Sequence, residues 1–403
     1  MKESPYLLRF NEEDTSKKVP AEEILRGLFT EEDLNNLLMC MDFDNTMVID
    51  DAGIQVFLQT LRMPGFWRDK PDEFKRLLLP SKYKELLKLG ERNKEKDLNP
   101  EKCQLSLELA HDISALYREI RKLSPGQNMK AGDDPMILEF ALKMIMFDEV
   151  MMRMDSVFSR KLGGDFLLRT RFFRHRTLNE IKTIAEQICR QMGDFVNLEI
   201  SPGNRIDGVD KLITQDHPAA QARRIRTRPR IDTRVLTIAK TILSPDQGLA
   251  IPRVITTNHP AIPRTIIRNS EWAETIDQQE RFRLSDRLPL VRGTRLQMHP
   301  KNNGHLRARP EELPVNGKQK AILAEQIAQN LRRRFRIAIG DSLGDLSMGV
   351  QAVRNNGIFM IVSQEAQSPI ESIEALRRRF REKLRDRELE DSPRVMIITP
   401  KDL

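Results

Sequence analysis

Apolar positions along this 403-residue chain follow two different spacings, and the change between them divides the sequence. Residues 37–43 form a short apolar run that ends in acidic residues, which is typical of a buried parallel strand. From 52 to about 195, apolar residues recur at three- and four-residue intervals, which predicts a block of helices. Residues 1–20 are polar and predict no regular element, whereas 21–36 predict a helix.

Beyond residue 231 the two patterns alternate, after a loop-like stretch at 198–230. The predicted helices are 232–243, 318–331 and 365–387, and the predicted strands are 251–257, 287–292, 335–340, 357–363 and 393–399. Strands on both sides of a helical block indicate an α/β fold in which an inserted helical domain interrupts an open sheet. We therefore expect an N-terminal extension (1–36), an α/β core (37–47 and 245–403) and a mostly α-helical insertion (48–244).

Composition and charge limit the class of protein. With 39% hydrophobic residues the chain can form sizeable cores, and its net charge of +8 would suit an anionic ligand. The positive charge is too diffuse to indicate a nucleic-acid-binding protein. The three cysteines are far apart without a CxxC pair, and we find neither a secretory signal nor a membrane-spanning stretch. These features predict a cytoplasmic protein.

Three biased segments have structural interpretations. The arginine-rich residues 222–234 could form a patch for an anionic substrate, but no aromatic residue lies between the arginines, so we favour a solvated connection. Methionines are concentrated at 144–154, where we expect core packing rather than a binding surface. The most apolar stretch, 135–147, is interrupted by Glu139 and Lys143.

Acidic side chains directly follow two of the predicted strands. Asp42 and Asp44 lie in the sequence DFDNT, and Asp341 and Asp345 lie in GDSLGD. Binding sites of open α/β sheets lie outside the carboxyl ends of the strands, so we expect these side chains to meet. Each motif alone could be a polar turn with a helix cap, but their shared position favours a site. Two acidic pairs from neighbouring strands form an all-oxygen site, which suits Mg²⁺.

These motifs resemble those of the haloacid dehalogenase superfamily of phosphatases and phosphotransferases. DFDNT is similar to its opening DxDxT motif, VITT (254–257) to its second motif, and GDSLGDLSM (340–348) to its GDxxxD motif. The resemblance implies a Rossmann-like parallel sheet with a cap domain inserted after the first motif. It also implies a Mg²⁺-dependent phosphatase that works through a phosphoaspartate.

The resemblance implies roles for individual residues. Asp42 would attack phosphorus, and Asp44 would first protonate the leaving group and then activate water. Mg²⁺ would be held by Asp42, by the backbone carbonyl of Asp44 and by Asp341, while Asp345 would support the metal shell or the family's lysine.

Two of the implied assignments stay open. Thr257 would hydrogen-bond a phosphoryl oxygen, because Thr-Asn at a strand end recurs in the family, but the register leaves Thr256 as an alternative. Asn258, the asparagine of this pair, would also contact the substrate. The lysine that neutralises the phosphate is Lys318 or Lys320. Only one of these two can point inward, because positions i and i+2 face different sides of a helix.

The position of the insertion resembles the phosphoserine-phosphatase-like branch, which has a helical type-one cap. Residues 291–321 are similar to its strand, hairpin and lysine-helix segment, and 167–188 to the cap segment that places Arg169 at its carboxylate-binding arginine. Asp51 stands where that branch has an ammonium-binding glutamate, and is shorter by a methylene. Thr-Asn-His-Pro replaces the usual Ser-Gly-Gly, and the cap is about twice the length usual for the resembled branch.

The sequence therefore predicts a phosphoric monoester hydrolase that acts on a small phosphorylated metabolite, with a phosphoserine-like compound as the first candidate. GDSLGDLSM is also similar to cytosolic pyrimidine nucleotidases, so a nucleoside monophosphate is an alternative. A third interpretation is a catalytically silent module that binds an anionic partner. The presence of all four carboxylates argues against that interpretation, and we expect neither nucleic acid nor a membrane as a partner.

Overall fold

The computed structural model places the chain in two compact units. The first consists of Met1–Ala52, Pro229–Arg295 and Pro314–Leu403, and the second of Gly53–Arg228 and Leu296–Leu313. The structure describes residues 5–30, 32–33, 36–49, 51–123, 134–154, 157–158, 161, 173, 176–190, 195–201, 204, 222–243, 250–275, 290–298, 306–310, 315, 317–363 and 369–399.

The elements are labelled in chain order. The strands are β1 (Tyr6–Arg9), β2 (Val19–Pro20), β3 (Leu37–Met41), β4 (Val48–Ile49), β5 (Phe195–Glu199), β6 (Ala222–Arg226), β7 (Arg230–Ile231), β8 (Ile251–Ile255), β9 (Val291–Arg292), β10 (Leu296–Met298), β11 (Leu306–Pro310), β12 (Arg334–Gly340), β13 (Ile358–Val362) and β14 (Val395–Thr399). The α-helices are α1 (Ala21–Leu28), α2 (Ala52–Leu61), α3 (Pro71–Leu78), α4 (Ser81–Glu91), α5 (Pro100–Leu123), α6 (Pro135–Arg153), α7 (Leu178–Arg190), α8 (Thr233–Ile242), α9 (Ala261–Arg268), α10 (Gly317–Leu331), α11 (Leu346–Arg354) and α12 (Pro369–Arg385).

The first unit contains a mostly parallel sheet in the order β2–β1–β14–β13–β12–β3–β8–β9. The strands from β14 to β9 in this order pair in parallel, which confirms the predicted α/β fold with a Rossmann-like core. All five residues of β3, β13 and β14 are buried, as expected of strands that are covered on both faces. The chain adds β8 and β9 on one side of β3, and β12, β13 and β14 on the other. The strand order therefore reverses between β3 and β12, which is where ligands bind in open α/β sheets.

The N-terminal segment differs from its prediction. Residues 6–9, within the polar stretch 1–20, form β1, which pairs antiparallel with β14 and with β2. The helix predicted at 21–36 ends at Leu28, because Phe29 has an extended backbone with φ −131° and ψ 128°. The segment expected to be an extension therefore contributes two strands to the central sheet.

The boundaries of the second unit also differ from the predicted insertion at 48–244. Strands β4 and β7 belong to the first unit and pair antiparallel, so that Val48 lies opposite Ile231. The backbone N–H of Asp232 donates to the carbonyl of Met47 at 3.1 Å. These contacts join the segment that leaves the core to the segment that returns. A second stretch, Leu296–Leu313 with β10 and β11, also belongs to the second unit.

Helices α2 to α7 supply most of the described second unit. Its core has an aromatic centre, in which the rings of Phe74 and Tyr117 are stacked with centroids 3.8 Å apart. The methionine-rich stretch packs in this core as predicted, with Met144, Met146 and Met151 buried. The apolar positions that predicted these helices are therefore the ones that form this aromatic and thioether core.

The charges that interrupt 135–147 are paired within the second unit. The Lys143 Nζ lies 2.8 Å from Asp112 Oδ2 and 3.2 Å from Glu139 Oε1, and both Lys143 and Glu139 are buried. Ser201 Oγ donates to Glu139 Oε2 at 2.7 Å, so the buried carboxylate has a further partner. Of the helices that the structure describes, none combines the length and apolar character needed to cross a membrane.

The first five residues of the arginine-rich segment form strand β6 rather than a loop. It pairs antiparallel with β5, and Arg223 makes a two-pronged contact with Glu149 at 2.6 and 2.7 Å. The guanidinium carbons of Arg224 and Arg226 lie 3.9 and 4.7 Å from the ring centroid of Phe195. The aromatic partner of these arginines is therefore supplied by the neighbouring strand, which a search along the arginine run alone could not find.

Candidate functional site

Strands β3 and β12 bring the two acidic motifs together. Met41 pairs with Ile339, and the N–H of Asp42 continues the ladder by donating to the Ile339 carbonyl at 2.9 Å. Asp341 follows β12 directly, so the two carboxylates leave adjacent parallel strands at the same edge of the sheet. Ligand oxygens of Asp42, Asp341 and Asp345 lie within 4.8 Å of one another, and all three residues are buried.

The GDSLGD sequence forms a tight loop around Asp345. The Asp345 Oδ2 accepts the N–H groups of Asp341 at 3.3 Å and Ser342 at 3.2 Å, and the Ser342 hydroxyl at 2.9 Å. A side chain on Gly340 would place its Cβ 2.4 Å from the Cβ of Asp345, so only glycine permits this close approach. Asp345 therefore shapes the loop that presents Asp341.

Helix α10 delivers Lys320 to the carboxylates. The Lys320 Nζ lies 2.8 Å from Asp42 Oδ1 and 2.7 Å from Asp345 Oδ1, and the side chain is 3% exposed. Lys320 belongs to the buried face of α10 together with Ala324 and Ile327, whereas Lys318 is exposed. Burial lowers the pKa of Lys320, but the charges of Asp345 and Asp42 outweigh burial and raise this pKa above its ordinary value. The structure thus brings Lys320, and not Lys318, into the acidic cluster as its cation.

Asp44 is oriented by two hydrogen bonds. Its Oδ1 accepts the backbone N–H of Ala52 at 2.9 Å, and its Oδ2 accepts the Asn258 side-chain amide at 2.7 Å. Asn258 follows β8, which neighbours β3, so the amide reaches Asp44 across the ends of two adjacent strands. Asn258 was predicted to contact substrate, and its observed partner is this carboxylate.

The threonines occupy different environments. Thr256 is fully buried, and its hydroxyl accepts the N–H of Asn258 at 3.1 Å within a turn. Thr257 is partly exposed at the strand end. The Thr46 hydroxyl donates to Asp341 Oδ1 at 3.4 Å, which links the end of the first motif to the third. Sequence reasoning gave Thr46 no role, although it is the threonine of DFDNT.

A glycine after β9 packs against the turn that follows β8. A Cβ on Gly293, which follows β9, would lie 2.2 Å from the carbonyl oxygen of Asn258. His259 is buried, and its Nδ1 accepts the N–H of Ala261 at 3.3 Å. Burial and the nearby charges of Arg295 and Arg264 lower the pKa of His259 to about 4, so this ring is neutral at pH 7. Sequence reasoning missed both Gly293 and His259.

Of the remaining two predicted substrate contacts, Asp51 lies among the described residues and Arg169 does not. Asp51 is half-buried and directly precedes α2, next to the Ala52 amide that binds Asp44. Arg169 lies outside the described residues. One further residue was missed by sequence reasoning: Arg379 on α12 donates from Nη2 to the backbone carbonyl of Asp341.

The donor set suits a divalent cation. Asp42, Asp341 and Asp345 would supply oxygen ligands, which hard cations such as Mg²⁺ prefer, and Lys320 places one positive charge beside them. Both oxygens of Asp345 already accept hydrogen bonds from Lys320 and from the loop. Asp42 and Asp341 are therefore the better candidates for direct cation ligands, and Asp345 for their support.

Burial makes the charge of this cluster depend on pH. Burial and the charge of Asp345 raise the pKa of Asp42 to about 7, and burial with the charges of Asp345 and Asp42 raises the pKa of Asp341. A carboxyl group with a raised pKa keeps its proton in the folded state after the unfolded chain has released it. Folding is therefore opposed progressively as the pH rises through this window.

We expect the metal-free protein to lose stability between pH 4 and pH 7. Asp42 lowers the free energy of unfolding by about 1.4 kcal/mol per pH unit in this window, and the raised pKa of Asp341 acts in the same direction. Urea unfolding in the presence of a chelator at pH 5, 6, 7 and 8 measures the slope. Asp341→Asn should give a shallower slope than the unmodified protein. Equal slopes would mean that Asp341 ionises normally in the folded state.

Comparisons with known proteins extend the description of the fold but not of the activity. No protein-family model and no curated protein matches the sequence. The structure is similar to a crystal structure of a conserved functionally unknown protein from Anaerococcus prevotii DSM 20548, with a TM-score of 0.54 and 15% identity over 90% of this chain and 85% of that chain. A structure of a protein with unknown function from Bordetella pertussis Tohama I gives a TM-score of 0.36 and 11% identity over 90% of this chain and 98% of that chain. The first likeness shows a shared fold, and the second is too low to support an argument.

Proposed function

We propose that this protein is a Mg²⁺-dependent phosphomonoesterase of the haloacid dehalogenase type, with Asp42 as its nucleophile. The observation that carries the proposal is the position of Lys320, which is buried between Asp42 and Asp345 beside Asp341. A buried lysine with three carboxylates at the switch point of a parallel sheet suits the transfer of a dianionic phosphoryl group. The fold, the DFDNT motif and the GDSLGD loop agree with this type of enzyme.

The residues around Asp42 fit a bound Mg²⁺. Asp42 and Asp341 would supply side-chain oxygens and Asp44 its backbone carbonyl, while Asp345 and Thr46 hold the loop and the Asp341 carboxylate. The bound cation would shield the negative charge of the phosphate, so that an anionic carboxylate could approach phosphorus. Burial and the charge of Asp345 disfavour the charged form of Asp42 and so raise its pKa, and a bound cation would favour the charged form.

In the first half of the proposed reaction, an Asp42 oxygen forms a bond to phosphorus while the bond from phosphorus to the leaving oxygen breaks. Asp44, held by Ala52 and Asn258, gives its proton to that oxygen as the alcohol departs. Lys320 stays close to Asp42 and offsets the negative charge that the phosphoryl group brings. The product of this half is a phosphoaspartate on Asp42.

In the second half, Asp44 acts as a base because it has lost its proton. It takes a proton from a water molecule, whose oxygen attacks phosphorus as the bond to Asp42 breaks. Inorganic phosphate leaves and Asp42 is again a carboxylate. The water thus supplies both the oxygen of the phosphate and the proton that restores Asp44.

A turnover screen tests the proposed function. A set of small phosphomonoesters, including phosphoserine and nucleoside monophosphates, would be assayed for phosphate release with Mg²⁺ and after removal of metal by a chelator. We expect release from at least one compound with Mg²⁺ and none without metal. Absence of turnover throughout, together with absence of acyl-phosphate labelling, would contradict the proposal.

Asp44→Asn should affect substrates according to their leaving groups. An alkoxide needs a proton as it departs, whereas p-nitrophenolate is stable without one. We expect the rate for an alkyl phosphate to fall on the order of a hundredfold or more, and the rate of phosphoaspartate formation from p-nitrophenyl phosphate to fall far less. Single-turnover kinetics with both substrates make this comparison.

The Asn258→Asp exchange provides a control for this result. It replaces the amide that donates to Asp44 by a carboxylate, while Asp44 itself is retained. Its effect should fall on the same substrate as that of Asp44→Asn but be smaller, because Asp44 keeps its proton and loses only the amide that positions it. Equal losses for both substrates in Asp44→Asn would mean that Asp44 acts through structure or metal binding alone.

A further inference from the structure

Helix α12 places an arginine against the loop that carries Asp341. The apolar face of the helix, with Ile373, Leu376 and Phe380, is buried in the core of the first unit. Arg379 lies beside this face, its guanidinium carbon is 5.3 Å from the ring centroid of Phe380, and its Nη2 donates to the backbone carbonyl of Asp341. The buried face of the helix therefore fixes the direction of the Arg379 side chain, which points toward the end of β12.

The backbone of Asp341 is held from both sides. Its N–H donates to the Asp345 carboxylate at 3.3 Å, and its carbonyl accepts from Arg379. Both contacts involve a charged partner, and hydrogen bonds to charged groups are stronger than neutral ones. Because the two contacts limit rotation of the Asp341 backbone, they also limit where its carboxylate can point.

The guanidinium occupies this position at a cost. Within the described residues its Nε is buried and has no hydrogen-bond acceptor. An unsatisfied buried donor is unfavourable, so such a group calls for an explanation. The hydrogen bond from Arg379 Nη2 to the Asp341 carbonyl, if it orients Asp341, explains why the buried Nε is left without an acceptor.

We propose that Arg379 is a positioning residue, which orients Asp341 for cation binding through its backbone carbonyl. This inference rests on the proposed Mg²⁺-dependent function. The charge of Arg379 alone would have the opposite effect, because a positive group near the site repels a cation. The sign of the change on removing Arg379 therefore separates orientation from simple electrostatics.

The test is a calorimetric titration of the metal-stripped full-length chain with Mg²⁺. Arg379→Met should bind Mg²⁺ about tenfold more weakly than the unmodified protein, as loss of one hydrogen bond from a charged donor implies. Arg379→Lys retains the charge but not the planar fork, so it should fall between the two. The matched control is Arg378→Met, which removes an exposed arginine from the same helix and should leave the affinity unchanged.

The outcomes separate the inference from the function on which it rests. Unchanged or tighter Mg²⁺ binding by a folded Arg379→Met protein would overturn the role of Arg379 and leave the proposed function standing. If Arg379→Met does not fold, affinity of Arg379→Lys equal to that of the unmodified protein would overturn the role. Failure of the unmodified protein to bind Mg²⁺ at millimolar concentrations would overturn both.

Discussion

Asp42→Asn is expected to abolish phosphate release from every substrate that the unmodified protein hydrolyses. The amide cannot form the phosphoaspartate, so the rate should fall on the order of a thousandfold or more. Asp42 has a buried carboxylate with a raised pKa, and removing its charge relieves repulsion within the cluster. Lys320 retains Asp345 as a partner, so the fold should persist. Steady-state assays and thermal unfolding measure the two effects.

Asp72→Asn is the control for loss of a carboxylate as such, because Asp72 is exposed on α3 in the second unit. It should retain the rate and the melting temperature of the unmodified protein. A folded Asp42→Asn protein that kept a tenth of the original rate would make a phosphoaspartate mechanism untenable.

Lys320→Met is expected to damage both stability and turnover. Lys320 is the cation between Asp42 and Asp345, and its removal takes away the ion-pair partner that these two buried carboxylates share. Breaking a buried ion pair in this way costs about 3–5 kcal/mol. Turnover should fall by about a hundredfold or more, because the buried site loses the positive charge that would stabilise the phosphoryl group. Urea unfolding and steady-state assays with saturating Mg²⁺ measure these losses.

Lys318→Met is the matched comparison for this exchange. The two lysines are two positions apart on α10, but Lys318 is exposed. Its replacement should change the free energy of unfolding by no more than about 0.5 kcal/mol and leave turnover intact. A larger loss of activity in Lys318→Met than in Lys320→Met would reverse the assignment of the phosphate-binding lysine.

The sheet and the acidic motifs were within reach of the sequence because their signals are local. A strand covered on both faces is a continuous apolar run, as in β3, β13 and β14. The acidic motifs directly follow β3 and β12. The parallel arrangement then implies that Asp42 and Asp341 share one edge. The chain order of the elements was sufficient for that conclusion.

Other features depend on contacts that local patterns do not contain. The choice between Lys318 and Lys320 is set by which face of α10 is buried, and apolar residues lie near both positions in the sequence. Strand β1 has only four residues, and its partner β14 lies at the other end of the chain. Arg379 belongs to a charged helix in which several arginines look alike, and its role depends on the carbonyl that it reaches.

The wide separation in sequence of the paired strands has a consequence for synthesis of the chain. Thr46 and Asp341, which contact each other beside the paired strands β3 and β12, are 295 residues apart. Closing such long loops is entropically costly, and sheets built from distant strands fold slowly. On the ribosome β3 emerges before β8 and β12. Until those strands appear, its five residues, all buried in the folded sheet, lack their neighbours. The same apolar strand that supports Asp42 is therefore a segment prone to aggregation until its neighbouring strands are in place.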